Sequence, residues 1–282
     1  MKYFFSLLVL LLAQSSAPAD TVASTSKKTL ILGIFPYLNA RSVVSAYQPV
    51  REYLEHSLDQ PVQIYTAPDF KIFAQRTRDG EYDIVVTPPH LARLAQSKSG
   101  YIPLLRYAPD ITAVIVVAKD DPIRSPADLR NKIIAVPDEL AMVTLASKTW
   151  LEKQGLKAER DYSFSAAKSH YDAIALVAHG KSSAAITSNR ILNQLPNTLT
   201  RNVRVLISIT IPTNVMYAAN SRLPAVLVKK LSAVLLDFPN DAAGRSFLES
   251  NNYTGFKLIT EMELQSLDSY VTDLELIMGT AP

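Results

Sequence analysis

The chain has 282 residues, 48% apolar and 20% charged, with a formal net charge of +3 and no cysteine. That length allows one large domain or two medium ones. The basic residues are scattered and no aromatic run interleaves them, which argues against a nucleic-acid or membrane-surface patch. The absence of cysteine excludes a disulfide framework, thiolate metal sites, a cysteine nucleophile and a lipid-modified N-terminal cysteine.

The N-terminus has a positive start at Lys2, a short apolar run from Phe4 to Ala13, and the small residues Ala17-Pro18-Ala19. That order predicts a secretory signal cleaved after Ala19, because the apolar run is shorter than the ~20 residues of a membrane span. Removal of Lys2 takes the formal charge from +3 to +2. An exported, soluble chain that must stay near its cell points to the periplasm. Residues 20–28, "DTVASTSKK", are small and polar and read as a disordered lead-in.

From Thr29 the apolar periodicity alternates between short runs and amphipathic stretches. "TLILGIF" reads as a buried strand and "VREYLEHSL" as a helix with Pro49 tolerated in its first turn. "VQIYT" is the next strand, and "FKIFAQRTR" the next helix, capped by Asp69. "DIVVT", "HLARLAQ" and "YIPLLRY" follow, a spacing that predicts parallel βαβ units. A second series starts with the long β-rich run "ITAVIVVAK" and a capped turn at "SPADLRNK". It continues with strand "KIIAV", a helix closed by Gly155, strand "YSFSA", helix "SHYDAIALVAHG", strand "SAAIT" and helix "SNRILNQL". Two apolar runs, "VRVLISI" and "NVMYAA", precede helices expected at Pro224–Asp237, Ala242–Ser250 and Met262–Ile277, the last amphipathic and expected to dock on the first series.

Two series of this kind predict two α/β lobes, residues 29–110 plus 211–282 and residues 111–210. The long β runs near Ala108–Ala118 and Leu206–Ala219 would be the two crossings of a hinge. Where a parallel strand runs into a helix, the helix N-terminus sits at the carboxyl edge of the sheet and favours anions. Four junctions have that form: Thr87-Pro88-Pro89-His90, Val136-Pro137-Asp138-Glu139, Lys168-Ser169-His170-Tyr171 and Thr187-Ser188-Asn189-Arg190. Thr87, Asp138, Ser169 and Ser188 each suffice as plain N-caps, so the convergence of four junctions carries more than any one of them. His170 and His179 are nine apart, about 180° around a helix, and cannot share a metal. No metal site and no cofactor are expected. Nucleophile-elbow, zincin, dinucleotide and Walker motifs are absent, and the chain has only 8 glycines, which argues against an enzyme.

Several stretches together are similar to the phosphate/phosphite/phosphonate family of periplasmic substrate-binding proteins of ABC transporters. They are "GIFPYL", "APDFKIFAQRTRDGEYDIVVTPPHLARLAQ", "GYIPLLR", "SPADLRNKIIAVP", "SHYDAIALVAHGKSSAAITSN" and "ISITIPTNVMYA". The resemblance implies two Rossmann-like α/β lobes joined by a two-strand hinge, of the type II periplasmic-binding-protein kind. It also implies a small-molecule solute and a membrane ABC permease as partners. A receptor of the same fold feeding a membrane sensor kinase is the alternative, and an enzyme on this scaffold a more distant one. Phosphonate binders of the family carry a Ser-Thr-Ser run where this chain reads Glu139-Leu140-Ala141. A family tyrosine is Phe70 here, and another falls at Thr87 or Pro88. The carboxylates that hold an amino group fall at Arg190 and Asn214, and His170 stands where the family has its binding histidine. The expected ligand is therefore an anion without a primary amine, held among Phe70, Thr87, His90, Glu139, Ser169, His170, Ser188, Asn189, Arg190 and Asn214.

Overall fold

The computed structural model describes residues 27–280. The predicted signal segment and most of the lead-in lie outside the described residues. Two sheets organise the rest. The first runs β11-β4-β10-β3-β1-β2 across its width. Its parallel part is β1 (Leu30–Ile34) between β2 (Val62–Tyr65) and β3 (Ile84–Thr87). The connections are α1 (Ala40–Ala46) with α2 (Gln48–Leu58), and α3 (Phe70–Arg78). After α4 (Pro89–Ser99), the strands β4 (Tyr101–Ala108), β10 (Met216–Asn220) and β11 (Gly255–Lys257) extend the sheet antiparallel. Pro103 lies inside β4, but β11 pairs only with Arg106–Ala108, so the missing N–H falls on a stretch without a neighbour on that side.

The second sheet runs β7-β6-β8-β5-β9. β6 (Ile133–Val136) pairs parallel with β7 (Ser163–Ala166) and β8 (Ala184–Ser188); β5 (Ile111–Ala118) and β9 (Val203–Ile211) close it antiparallel. Its helices are α5 (Met142–Lys153), α6 (His170–Ala178), α7 (Asn189–Gln194) and α8 (Asn197–Thr200). The chain leaves the first sheet at Ala108 and enters the second at Ile111; it leaves again at Ile211 and re-enters the first at Met216. The two passages are held side by side, with Ile111 N–H donating to the Thr213 carbonyl at 2.8 Å.

Side-chain alternation explains why the second sheet is covered on both faces. Along β5, Ala113, Ile115 and Val117 join the main apolar core, while Val114 and Val116 join a second cluster with Ala173, Ile174 and Val177 of α6. Local caps behave as their residue types dictate. Asp69 accepts from Ile72 N–H at 2.7 Å, Ser169 from Asp172 N–H at 3.1 Å and Ser188 from Ile191 N–H at 3.2 Å. Gly33 in β1 is required by contact: a Cβ there would stand 2.4 Å from the ring of buried Tyr82.

The C-terminal part departs from the sequence expectation in two places, the unexpected strand β11 that joins the first sheet and the last helix. α9 (Ala225–Asp237) and α10 (Ala242–Ser250) form, but the helix expected at Met262–Ile277 is two, α11 (Glu261–Gln265) and α12 (Asp268–Met278). α11 is held in its own orientation by a capping box between Thr260 and Glu263, whose carboxylate also pairs with buried Arg106 of β4 at 2.6 Å. α12 packs on α4, with Asp268 accepting from Arg93 at 2.7 Å. No helix among the described residues is long and apolar enough to cross a membrane.

Candidate functional site

The carboxyl ends of parallel strands from both sheets open onto one cavity of about 70 Å³. Phe35 and Tyr37 follow β1, Phe70 starts α3 after β2, and Pro88 follows β3. From the other sheet come Ala141, Met142 and Val143 at the start of α5, His170 at the start of α6, and Ser188, Arg190 and Ile191 at the end of β8 and in α7. The crossings supply Ile111, Asn214 and Val215. The wall is mostly apolar, and among the described residues Arg190 is its one charged side chain.

Arg190 is the most unusual group in the structure. It belongs to the second sheet's α7, yet its guanidinium lies 4.9 Å from the ring centre of Tyr253 and 5.9 Å from that of Tyr37, both carried by the first sheet's side. Tyr253 is itself stacked face to face on Tyr107 at 3.9 Å. Among the described residues no carboxylate pairs with Arg190, and its Nη1 is sealed from solvent without a hydrogen-bond partner. Two aromatic faces stabilise a guanidinium through their quadrupoles but leave its N–H edges unused. Burial raises the Tyr253 phenol and drives that of Tyr37 well above its ordinary range, opposed in both by Arg190, so both stay neutral donors.

Two further polar features face the cavity. α5 begins at Met142 after Ala141, which has no side-chain cap, and among the described residues no acceptor takes the N–H of Met142 or Val143. These are the donors that a cap or an anion normally satisfies. His170 contacts Thr187 Oγ1 through Nδ1 at 2.9 Å; burial, with Arg190 adding to it, lowers its pKa to about 4, so it is neutral at pH 7. Asn214 is committed to the crossings, its amide donating to the Pro109 carbonyl and its Oδ1 accepting from Val215 N–H at 2.7 Å.

Of the ten residues nominated from sequence, Phe70, His170, Ser188, Arg190 and Asn214 line the cavity. Thr87, His90, Glu139, Ser169 and Asn189 do not. Glu139 and Asn189 are exposed, and Ser169 is occupied with its capping bond and with Asp172. Thr87 is buried. His90 is fully buried and spans the gap between the two halves: its Nε2 donates to the Leu140 carbonyl at 2.8 Å. That bond fixes the tautomer, leaving Nδ1 unprotonated and without a partner among the described residues. Tyr37, Tyr253 and the start of α5 were missed. Tyr37 follows β1 at the same carboxyl edge that singled out the four junctions, so the edge rule extends to it. Tyr253 lies in a loop between α10 and β11, where nothing local marks it.

A sequence model of the periplasmic substrate-binding proteins of phosphonate ABC transporters matches residues 32–264. The chain belongs to this family. Solved structures agree at the level of fold. PhnD1 from Prochlorococcus marinus, in complex with methylphosphonate, superposes with a TM-score of 0.78 at 17% identity, over 90% of this chain and 99% of that one. A binding-protein component of an ABC phosphonate transporter from Pseudomonas aeruginosa gives 0.77 at 16%, over 90% and 87%. A Xanthomonas citri protein bound to a chloride ion gives 0.76 at 19%, over 88% and 99%. The fold is that of type II periplasmic binding proteins. As a member of the phosphonate-binding family, the protein is the solute-binding part of an ABC transport system and works in the periplasm. Among the described residues no group of three or more His, Cys, Asp or Glu is arranged to hold a metal ion.

Proposed function

We propose that this protein captures a small organic anion without a primary amine and delivers it to an ABC permease. The observation that carries the reading is the guanidinium of Arg190, charged, without a carboxylate partner among the described residues, in the wall of a mostly apolar cavity. Such a group is costly to bury unless an anion completes it. The open N–H groups of Met142 and Val143 add a second set of donors. Among the described residues no carboxylate lines the cavity, so an ammonium group would have no counter-charge there. The cavity admits a head group and a few carbon atoms, a size in keeping with the methylphosphonate held by the Prochlorococcus protein.

Residues 29–110 with 211–282 form one lobe and residues 111–210 the other, in this reading, with the two crossings as the hinge. The cavity takes residues from both sides, so a solute contacting both shifts the population toward the closed state. The test is a thermal-shift screen of the purified protein against phosphate, phosphite, methylphosphonate, 2-aminoethylphosphonate, methanesulfonate, acetate and propionate. A ligand at 100 times its Kd stabilises by about 2.7 kcal/mol, or roughly 5–10 °C for a chain of this size. Stabilisation by a non-amine anion that is lost in Arg190→Gln supports the proposal. A preference for 2-aminoethylphosphonate, or an undiminished shift in Arg190→Gln, overturns it.

A further inference from the structure

We infer that the solute is a monoanionic organic acid, a sulfonate or carboxylate with a compact apolar body, and that the site discriminates against the dianionic form of a phosphonate. This rests on the reading of the cavity as an anion site and asks which anion its charge supports. Of the fourteen residues in the wall, one is charged, Arg190. His170 and Tyr37, the other groups there able to titrate, are both neutral between pH 5.5 and 8.5, because burial holds the imidazole near pH 4 and the phenol far above its usual range. The uncapped start of α5 adds roughly half an elementary charge of positive potential. The fixed positive charge is thus above one and below two.

Charge counting in a mostly apolar wall decides the rest. The desolvation cost of an ion grows as the square of its charge, so a dianion pays about four times what a monoanion does. Its attraction to a single guanidinium grows only in proportion, about twofold. Hydroxyl donors around the head group would offset that deficit for a dianion; the start of α5, Ala141, Met142 and Val143, offers none, and among the described residues the wall's hydroxyls are only Tyr37 and Ser188, the latter already the cap that accepts from Ile191 N–H. The remaining wall, including Phe35, Phe70, Ile111, Ile191 and Val215, suits a hydrocarbon body. The N–H edges of Arg190, left open by stacking on Tyr253 and Tyr37, match two oxygens of a carboxylate or sulfonate.

Methanesulfonate and methylphosphonate are nearly the same size and shape, and differ by one negative charge once the phosphonate has lost its second proton. Isothermal titration of both, across pH 5.5 to 8.5, separates charge from shape. The expected result is a flat affinity for methanesulfonate and a methylphosphonate affinity that falls by at least roughly tenfold as its second proton leaves. Propionate against its neutral amide reads the same term, with the amide not binding. A methylphosphonate affinity that holds or rises through its second ionisation overturns the inference while leaving the anion site standing, provided Arg190→Gln abolishes binding of both ligands. Binding of the neutral amide as tight as propionate, or titrations unchanged in Arg190→Gln, overturns both this inference and the function on which it rests. Circular dichroism establishes whether Arg190→Gln is folded, and Arg190→Met, which also removes the charge, supplies the same reading should it not be.

Discussion

His90 offers the most direct quantitative check on the way the two halves are held. Its ring is fully buried and its one hydrogen bond, Nε2 to the Leu140 carbonyl at 2.8 Å, joins α4 on the first side to the segment before α5 on the second. Burial lowers its pKa from 6.5 to about 4, opposed only by that bond, because a proton on Nδ1 would have no acceptor. The packed protein therefore favours the neutral ring, whereas the unfolded chain protonates it below about pH 6.5. The stability that this imidazole contributes is present above pH 6.5 and is lost as pH falls toward 4. Linkage with these two values gives a loss of about 2 kcal/mol between pH 7 and pH 5, and roughly 3 kcal/mol by pH 4. For a chain of this size, 2 kcal/mol corresponds to about 4–8 °C in melting temperature. His90→Gln keeps a neutral N–H donor toward Leu140 and removes the titration. Its melting temperature should fall less than that of the wild type between pH 7 and pH 5, by that margin. His170, likewise lowered to about 4, adds a term of similar size that is common to both proteins, and Asp161, held near 2 by Arg160 and neighbouring donors, titrates below this window. Equal losses in wild type and variant would refute the argument, since they would mean that the ring is solvated or rearranged on protonation.

Two further outcomes follow from geometry. Arg190→Lys keeps the charge but loses the planar fork stacked on Tyr253 and Tyr37, so titration of the anion identified by the screen should show affinity reduced by roughly 10- to 30-fold; affinity within about threefold of wild type would mean that stacking does not matter. Gly33→Ala places a methyl group into the ring of Tyr82, against which Phe73 is already stacked at 5.4 Å, and should lower the denaturant midpoint by an amount equivalent to about 1–3 kcal/mol. An unchanged midpoint would show that Tyr82 moves freely aside.

Local chemistry was legible in the sequence wherever it acts over a few residues. The alternation of apolar runs and amphipathic stretches marks the strands and helices, and Asp69, Ser169 and Ser188 cap the helices that follow them because an N-cap needs only a short oxygen-bearing side chain beside free N–H groups. The rule that ligands gather at the carboxyl edges of parallel strands singled out the junctions of His170, Ser188 and Arg190, which line one cavity, while Phe70 of the same wall came from the family resemblance. It could not say which way each side chain turns. His90, second in its helix, points into the seam toward Leu140, and Glu139 faces water while Ala141 and Met142 form the wall. Those directions depend on how the two sheets sit against each other. The partnership of Arg190 with Tyr37 and Tyr253 depends on that even more, because the three lie far apart in the chain and meet only where the crossings bring both sheets together. Sequence by itself determined most of the elements, their caps and the family, all properties of short stretches and their order; tertiary structure decided the charge and shape of the cavity, because those are sums over groups that only packing makes neighbours.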